Sequence, residues 1–263
     1  MKRISFHLLG VRVEKYYHEV DALAFQHQVH SISKEMSFRL TELIDASRSE
    51  ISQFHKSIDL KGQVQDEQPG LVAYRFGSFI ALLQTFRDAL DKAVGEDIDR
   101  EGLVEGVPHA SFLFKLRNAL VHDGYQAVSL WVDGRYYFPV NIKRKGMGNK
   151  VIYIDVPVVD VETLTLQYAL VYSERLATLI DNLPAEQKLK GRQQSAEWYS
   201  AAFSHSEVKR LLGDNGLSEA DFSFVSEPLP VALDLAVGCL REINQKCVDR
   251  LEELDKLPLV PFG

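Results

Sequence analysis

The chain has 263 residues, 46% of them hydrophobic, so it can bury a core as one large domain or two small ones. Its formal net charge of -7 argues against nucleic-acid binding through bulk positive charge and leaves only local basic patches for a polyanion. The two cysteines, Cys239 and Cys247, have neither a metal-ligand spacing nor a disulfide framework, which fits a reducing compartment. No stretch approaches the length of a membrane-spanning helix, and polar residues interrupt the apolar N-terminal stretch, so we expect a cytoplasmic protein that binds no membrane.

Long helices are predicted on either side of residue 65. Between Glu14 and Leu60, apolar residues recur at steps of three and four, which is the spacing of one face of a helix. A polar stretch with Pro69 and Gly70 ends this helix, and the same period then runs from Leu71 to Val94. We expect these helices to pack as an antiparallel pair.

The segment from Ser111 to Gly124 predicts a further helix, which carries polar groups that packing does not explain. Gly124 tolerates the left-handed conformation that closes a helix, so His122 falls in the last turn, where the helix dipole favours the imidazolium form. Apolar residues form one stripe that can face a core: Phe112, Leu113, Leu116, Ala119 and Leu120.

The opposite face of this helix combines a cation, an amide and an imidazole. Asn118 and His122 are four residues apart and share a face, and the long side chain of Arg117 can reach towards the imidazole. Phe114 and Val121 lie among these polar groups. Because apolar side chains in that position indicate a second burial surface, we expect another subunit or segment to cover them.

After Gly124 the hydrophobic period changes from that of a helix to that of a strand. Segments Ala127 to Val132 and Arg135 to Val140 flank Asp133-Gly134, whose residues tolerate the positive φ angles of a hairpin turn. Lys150 to Val156 alternates as a third strand. The intervening segment, Asn141 to Lys150, is predicted to be a flexible basic loop.

Helices are again predicted beyond the strands. Asp160 is a good N-cap for a helix that runs to about Leu183, where Pro184 marks its end. Further helices are predicted around Trp198, from Ser206 to Leu212 and from about Val231 to Lys256. We therefore predict a mainly α fold, with a helical domain over residues 1–183, a small antiparallel β insertion at about residues 126–157, and a C-terminal helical extension over residues 184–263 that can pack on the same core.

The pattern Arg117-Asn118-x-x-x-His122 resembles the R-x(4 to 6)-H motif of the HEPN superfamily, whose members are helical bundles and often metal-independent ribonucleases. The order of long helices, motif helix, small strands and further helix looks like that of the RNA-cleaving HEPN proteins of toxin and phage-defence systems. This resemblance covers roughly Glu14 to Leu183. It implies a homodimer in which two motifs form one cleft, with Phe114 and Val121 at the interface, and a possible antitoxin partner.

The chemistry of RNA cleavage suits these residue types. RNA carries its own nucleophile, the 2′-hydroxyl, so the enzyme needs a group that exchanges protons, such as His122, and a cation for the phosphorane charge, such as Arg117. Asn118 would orient His122 or bind substrate. One alternative is a catalytically inactive HEPN-like module that binds RNA or a protein with nearly the same residues. Another is a purely structural role, in which Arg117 pairs with an acid and His122 caps the helix end.

Several other residues are candidates for RNA or metal binding. The basic cluster of Lys143, Arg144, Lys145 and Lys150 would contact RNA phosphates beside the motif, or simply be solvated. Three strand aromatics would stack on bases or pack the sheet: Trp131, Tyr136 and Tyr137. His27 and His30 have a spacing that permits shared metal ligation, but no matching ligand motif occurs elsewhere, so we expect neither a metal nor a cofactor.

Overall fold

The computed structural model describes residues 13–59, 70–94, 98–123, 128–138, 142–145, 151–184, 206, 210–211 and 232–257; for residues 13–24, 59, 100, 121–123 and 145 it describes the backbone alone. The elements in chain order are α1 (Val13–Asp59), α2 (Leu71–Val94), α3 (Arg100–Val104), α4 (Ala110–Asp123), β1 (Leu130–Val132), β2 (Arg135–Tyr137), β3 (Ile142–Lys145), β4 (Val151–Ile154), α5 (Val161–Asp181) and α6 (Ala232–Asp255). The predicted mainly α fold with a small antiparallel β insertion is confirmed.

Helix α6 is part of the same hydrophobic core as the helices that precede it. It packs against both α1 and α5, while α1 also packs against α2. One apolar face of α6 is buried, with Leu240, Ile243 and Cys247 fully covered. The prediction of a boundary between residues 183 and 184 stays a prediction, because the predicted helix around Trp198 lies outside the described residues and only Ser206, Arg210 and Leu211 are described from the next one.

A buried ion pair joins α5 to α6. The guanidinium of Arg250 donates to both carboxylate oxygens of Glu162, with Nε 2.7 Å from Oε1 and Nη2 3.1 Å from Oε2. Both side chains are almost completely buried, at 6% and 4% exposure. Replacement of either residue alone would leave the other charge buried without a partner. Each single substitution should therefore lower the free energy of unfolding by about 3 to 5 kcal/mol.

The first sheet pairs β1 with β2 through the hairpin predicted at Asp133-Gly134. Both turn residues have positive φ angles, 56° and 72°. Gly134 is also required by packing, since a Cβ atom there would lie 2.8 Å from the Cα of Ile51 in α1. Trp131 packs edge-to-face on Phe54, with ring centroids 5.7 Å apart. The hairpin is therefore held against α1.

The second sheet corrects the prediction of a flexible loop over Asn141 to Lys150. The four residues of this segment that the structure describes, 142–145, form β3. This strand pairs antiparallel with β4, and Ile142 lies opposite Ile154. Burial of these isoleucines, at 2% and 1% exposure, stabilises the pairing. With one apolar residue among its four, β3 has too little hydrophobic alternation to be recognised in the sequence. The β insertion thus consists of two separate two-stranded sheets.

Helix α5 begins as predicted. The Asp160 carboxylate accepts a hydrogen bond from the backbone N–H of Thr163 at 2.9 Å, which satisfies one of the free donors at a helix N-terminus. Among the described residues, no helix is long and apolar enough to span a bilayer.

Candidate functional site

The rotation of α4 about its axis is fixed by its apolar stripe. Leu113, Leu116 and Ala119 are completely buried, and α4 packs against α2 and β4. A helix with these positions inward has to turn residues 117 and 118 away from the core. Accordingly, Arg117 is half-buried and Asn118 is exposed.

Arg117 and Asn118 contact one another directly. Nη1 of Arg117 donates to Oδ1 of Asn118 at 3.3 Å. Nε of Arg117 is buried and has no hydrogen-bond partner among the residues that the structure describes. The pairing of Arg117 with an acid, which belongs to the structural alternative, does not occur within the described part of the chain. The role of Asn118 in orienting His122 or binding substrate stays a prediction.

The backbone of His122 lies in the last turn of α4, as predicted, because the helix ends at Asp123. The side chains of Val121 and His122 lie outside the described residues. Residues four apart on a helix have Cβ atoms about 5 to 6 Å from each other, so the helix itself brings positions 118 and 122 onto one face.

Most described arginines are paired with acids, as expected in a chain with 37 acidic and 30 basic residues. A carboxylate lies within ion-pair distance of each of these: Arg39, Arg48, Arg75, Arg135, Arg241 and Arg250. Arg175 donates instead to the carbonyl oxygens of Gly102 and Leu103. Arg87 and Arg117, like Arg175, have no carboxylate partner in the described ranges, and each also has a buried Nε without a hydrogen-bond partner there.

Phe114, predicted as a dimer contact, is half-buried one turn before Arg117. The guanidinium carbon of Arg87, from α2, lies 5.5 Å from the centroid of its ring. A second subunit would therefore meet the Phe114 ring together with Arg87. The interface role of Phe114 and Val121 stays a prediction.

The basic cluster is brought near the motif helix by the second sheet, because β4 contacts α4. Lys143 is exposed, and its Nζ lies 5.8 Å from the centroid of the Tyr153 ring, opposite it on β4. Arg144 is half-buried on the other face of the strand. For Lys145 the backbone alone is described, and Lys150 lies outside the described residues.

Burial separates the candidate aromatic residues into packed and exposed ones. Tyr136 is only 6% exposed and presents no free face for a base, whereas Trp131 is half-buried and packs edge-to-face on Phe54. Burial, with a smaller effect from the Asp160 carboxylate, raises the pKa of the half-buried Tyr137. Tyr153, which the sequence reasoning missed, is 64% exposed. The alternation of β4, with Ile152 and Ile154 directed inward, was the signal that could have identified it.

The structure does not add ligands to the histidine pair on α1. His27 is exposed and His30 is half-buried, and burial followed by the charge of Lys34 lowers the pKa of His30. Among the described residues, no group of three or more His, Cys, Asp and Glu side chains is arranged to hold a metal ion.

Comparison of the chain with family models, with curated proteins and with solved structures finds no match. The resemblance to HEPN proteins therefore rests on the motif of Arg117, Asn118 and His122 and on the order of the elements.

Proposed function

We propose that this protein is a metal-independent endoribonuclease of the HEPN type, acting as a toxin or phage-defence effector. One observation carries the proposal: Arg117 lies on the outer side of α4 without a carboxylate partner in the described residues, fixed by Asn118, five residues before His122. An arginine whose charge is not neutralised by the protein is available to a phosphate.

In the proposed reaction the 2′-oxygen of a ribose attacks the adjacent phosphorus, and the bond from phosphorus to the 5′-oxygen breaks. Neutral imidazole accepts the proton of the 2′-hydroxyl, and imidazolium donates a proton to the leaving 5′-oxygen, so His122 has the chemistry for either step. Arg117 stabilises the charge on the phosphorane oxygens. The products are a 2′,3′-cyclic phosphate and a free 5′-hydroxyl. In a homodimer, the two His122 side chains can divide these proton transfers between them.

The surface beside α4 has a composition suited to a single strand. Lys143 and the exposed ring of Tyr153 lie side by side on the sheet that contacts α4. A cation and an aromatic ring together provide a phosphate contact and a stacking surface for a base. An acidic chain would need such a local site to hold RNA, because its overall charge repels a polyanion.

The proposal is tested by incubating the native protein and the His122→Ala variant with mixed RNA in EDTA and analysing the new 3′ ends. We expect the native protein alone to produce 2′,3′-cyclic phosphate ends. Equal cleavage by both proteins, or by neither, would contradict the proposed reaction. RNA binding without cleavage by either protein would favour the non-catalytic binding module instead. An antitoxin partner would be identified as a protein that suppresses the cleavage.

A further inference from the structure

Arg87 lies on α2 next to the proposed site and is not part of the motif. Its guanidinium carbon is 5.5 Å from the centroid of Phe114, a distance typical of a cation–π contact. Its Nε is buried and has no hydrogen-bond partner among the residues that the structure describes. A partly buried guanidinium whose donors are not all satisfied is well suited to bind an anion.

The protein supplies no negative charge to Arg87 from α5, the other helix near it. Tyr168 and Tyr172 stack there with ring centroids 4.9 Å apart, and both are almost completely buried. Burial raises the pKa of Tyr172 to about 12, although the positive charge of Arg87 acts in the opposite direction. The tyrosines are therefore neutral at physiological pH and do not neutralise Arg87. The Asp91 carboxylate, one turn after Arg87 on α2, also acts on Tyr172, and it accepts a hydrogen bond from the backbone N–H of Ile98 at 3.1 Å.

The position of Phe114 relates Arg87 to the motif. Phe114 and Arg117 are three residues apart on α4, so their Cβ atoms are about 5 to 6 Å from each other. Arg87 lies over the Phe114 ring from the side of α2. Phe114 therefore contacts Arg87 and lies one helical turn before Arg117.

We propose that Arg87 is a second phosphate-binding residue of this site, and that Arg87 and Arg117 bind neighbouring phosphates of one RNA strand on either side of the Phe114 ring. This inference rests on the proposed function for the identity of the anion. It adds a residue from α2, 30 positions before Arg117 in the sequence, to a site otherwise built from α4.

The test measures RNA binding separately from cleavage. In a His122→Ala background, the affinity for a fluorescent single-stranded RNA is determined by anisotropy over a range of KCl concentrations. Each phosphate contact contributes about 0.7 to the slope of log K against log salt for a single strand. We expect Arg87→Gln to weaken binding and to reduce the magnitude of this slope by about 0.7.

Arg75→Gln is the matched control, because it makes the same change on the same helix. Arg75 is paired with Glu42, and it precedes Arg87 by 12 residues, or about 18 Å along the axis. We expect its slope to equal that of the unchanged background. If Arg87→Gln does not fold, Arg87→Met keeps an apolar stem over Phe114 and removes the charge alone.

Each outcome separates this inference from the proposed function. A folded Arg87 variant with the background's slope overturns the role of Arg87, even if the native protein cleaves RNA. Binding that depends on Arg87 in a protein that never cleaves RNA supports the phosphate site and contradicts the ribonuclease. Absence of RNA binding by the His122→Ala protein at every salt concentration overturns the phosphate site, and it overturns the ribonuclease as well only if the native protein does not cleave RNA.

Discussion

At the scale of single residues, the charge of Arg117 stays available because its hydrogen bond goes to a neutral amide. Asn118 positions Nη1 at 3.3 Å without neutralising the guanidinium, which an aspartate at the same place would do. Mutations at position 118 can therefore distinguish the effect of the side chain's shape from the effect of its charge.

We predict that Asn118→Asp impairs RNA cleavage more than Asn118→Ala does. The hydrogen bond from the Arg117 guanidinium to Asn118 is exposed and 3.3 Å long, so its removal should cost only about 0.5 to 1.5 kcal/mol, and the alanine variant should lose roughly 2- to 10-fold in kcat/KM. The aspartate variant should lose more, because its carboxylate pairs with Arg117 and repels the substrate phosphate. A fluorogenic RNA gives the rates, and thermal unfolding confirms that both variants are folded. A larger loss for alanine than for aspartate would show that the charge of Arg117 is not what the reaction uses.

At the scale of secondary-structure elements, the pair of β3 and β4 presents the one candidate surface that depends on strand register. The register places Lys143 opposite Tyr153 on the outer face, while Ile142 and Ile154 occupy the inner face. Shifting the register by one residue would exchange these faces.

We predict that Tyr153→Ser weakens binding of single-stranded RNA. Loss of one base–aromatic stack costs about 1 to 3 kcal/mol, or roughly 5- to 150-fold in Kd. Tyr74→Ser is the matched control, because Tyr74 has the same 64% exposure on α2. Anisotropy in the His122→Ala background measures both. Equal affinities for the two variants would mean that Tyr153 contacts no base.

The contact between α1 and α6 has a pH dependence that follows from one carboxylate. Glu253 accepts hydrogen bonds from Arg250 at 2.8 Å and from Arg48 at 2.7 Å, and these contacts lower its pKa. A carboxyl whose pKa is lower in the folded chain stabilises the fold above its unfolded pKa, about 4.3, and loses that contribution as the pH falls through the folded value.

We predict that Glu253→Gln lowers the free energy of unfolding at pH 7 by less than about 1 kcal/mol, since the side chain is 47% exposed. The difference in the free energy of unfolding between the variant and the native protein should become smaller as the pH falls from about 5 to about 3. Urea denaturation at several pH values measures it. Glu252→Gln, which removes only a 3.9 Å contact with Lys256, is the control and should match the native protein throughout. A difference that grows as the pH falls would mean that the ionised Glu253 carboxylate does not stabilise the fold.

At the scale of the whole molecule, we predict a homodimer that Phe114→Glu converts to a monomer. Phe114→Glu removes the aromatic surface that the partner subunit would contact, while in the free subunit the new carboxylate can pair with Arg87 and leave the fold intact. Light scattering gives the mass of each protein. Val158→Glu, a change at a completely exposed site, should leave the mass unchanged. A native protein that is already monomeric at micromolar concentration would contradict the dimer.

The parts of the molecule that the sequence predicts are those with a local signal. Helix α2 was predicted with its observed bounds, because apolar residues repeat along its whole length and Gly70 precedes it. Arg117 and Asn118 were identified together from the sequence because both lie on one short helix, although the hydrogen bond between them was not predicted. Arg87 was not identified, since nothing local joins position 87 to position 117 until α2 and α4 pack. Strand β3 was missed for the related reason that its stability comes from its partner strand and from one buried isoleucine.

Because α6 packs on α1, the helical bundle can finish folding only after α6 has been synthesised. Lys246 of α6 donates to Ser37 of α1 at 2.8 Å, across 209 positions of the chain. At about 5 to 20 residues per second, a ribosome needs roughly 10 to 40 seconds to translate that interval. Once α2 has been synthesised, α1 can pack against it, but α6 is still missing, so part of the α1 surface is uncovered in the nascent chain. The bundle is therefore most vulnerable to aggregation before its last described helix has left the ribosome.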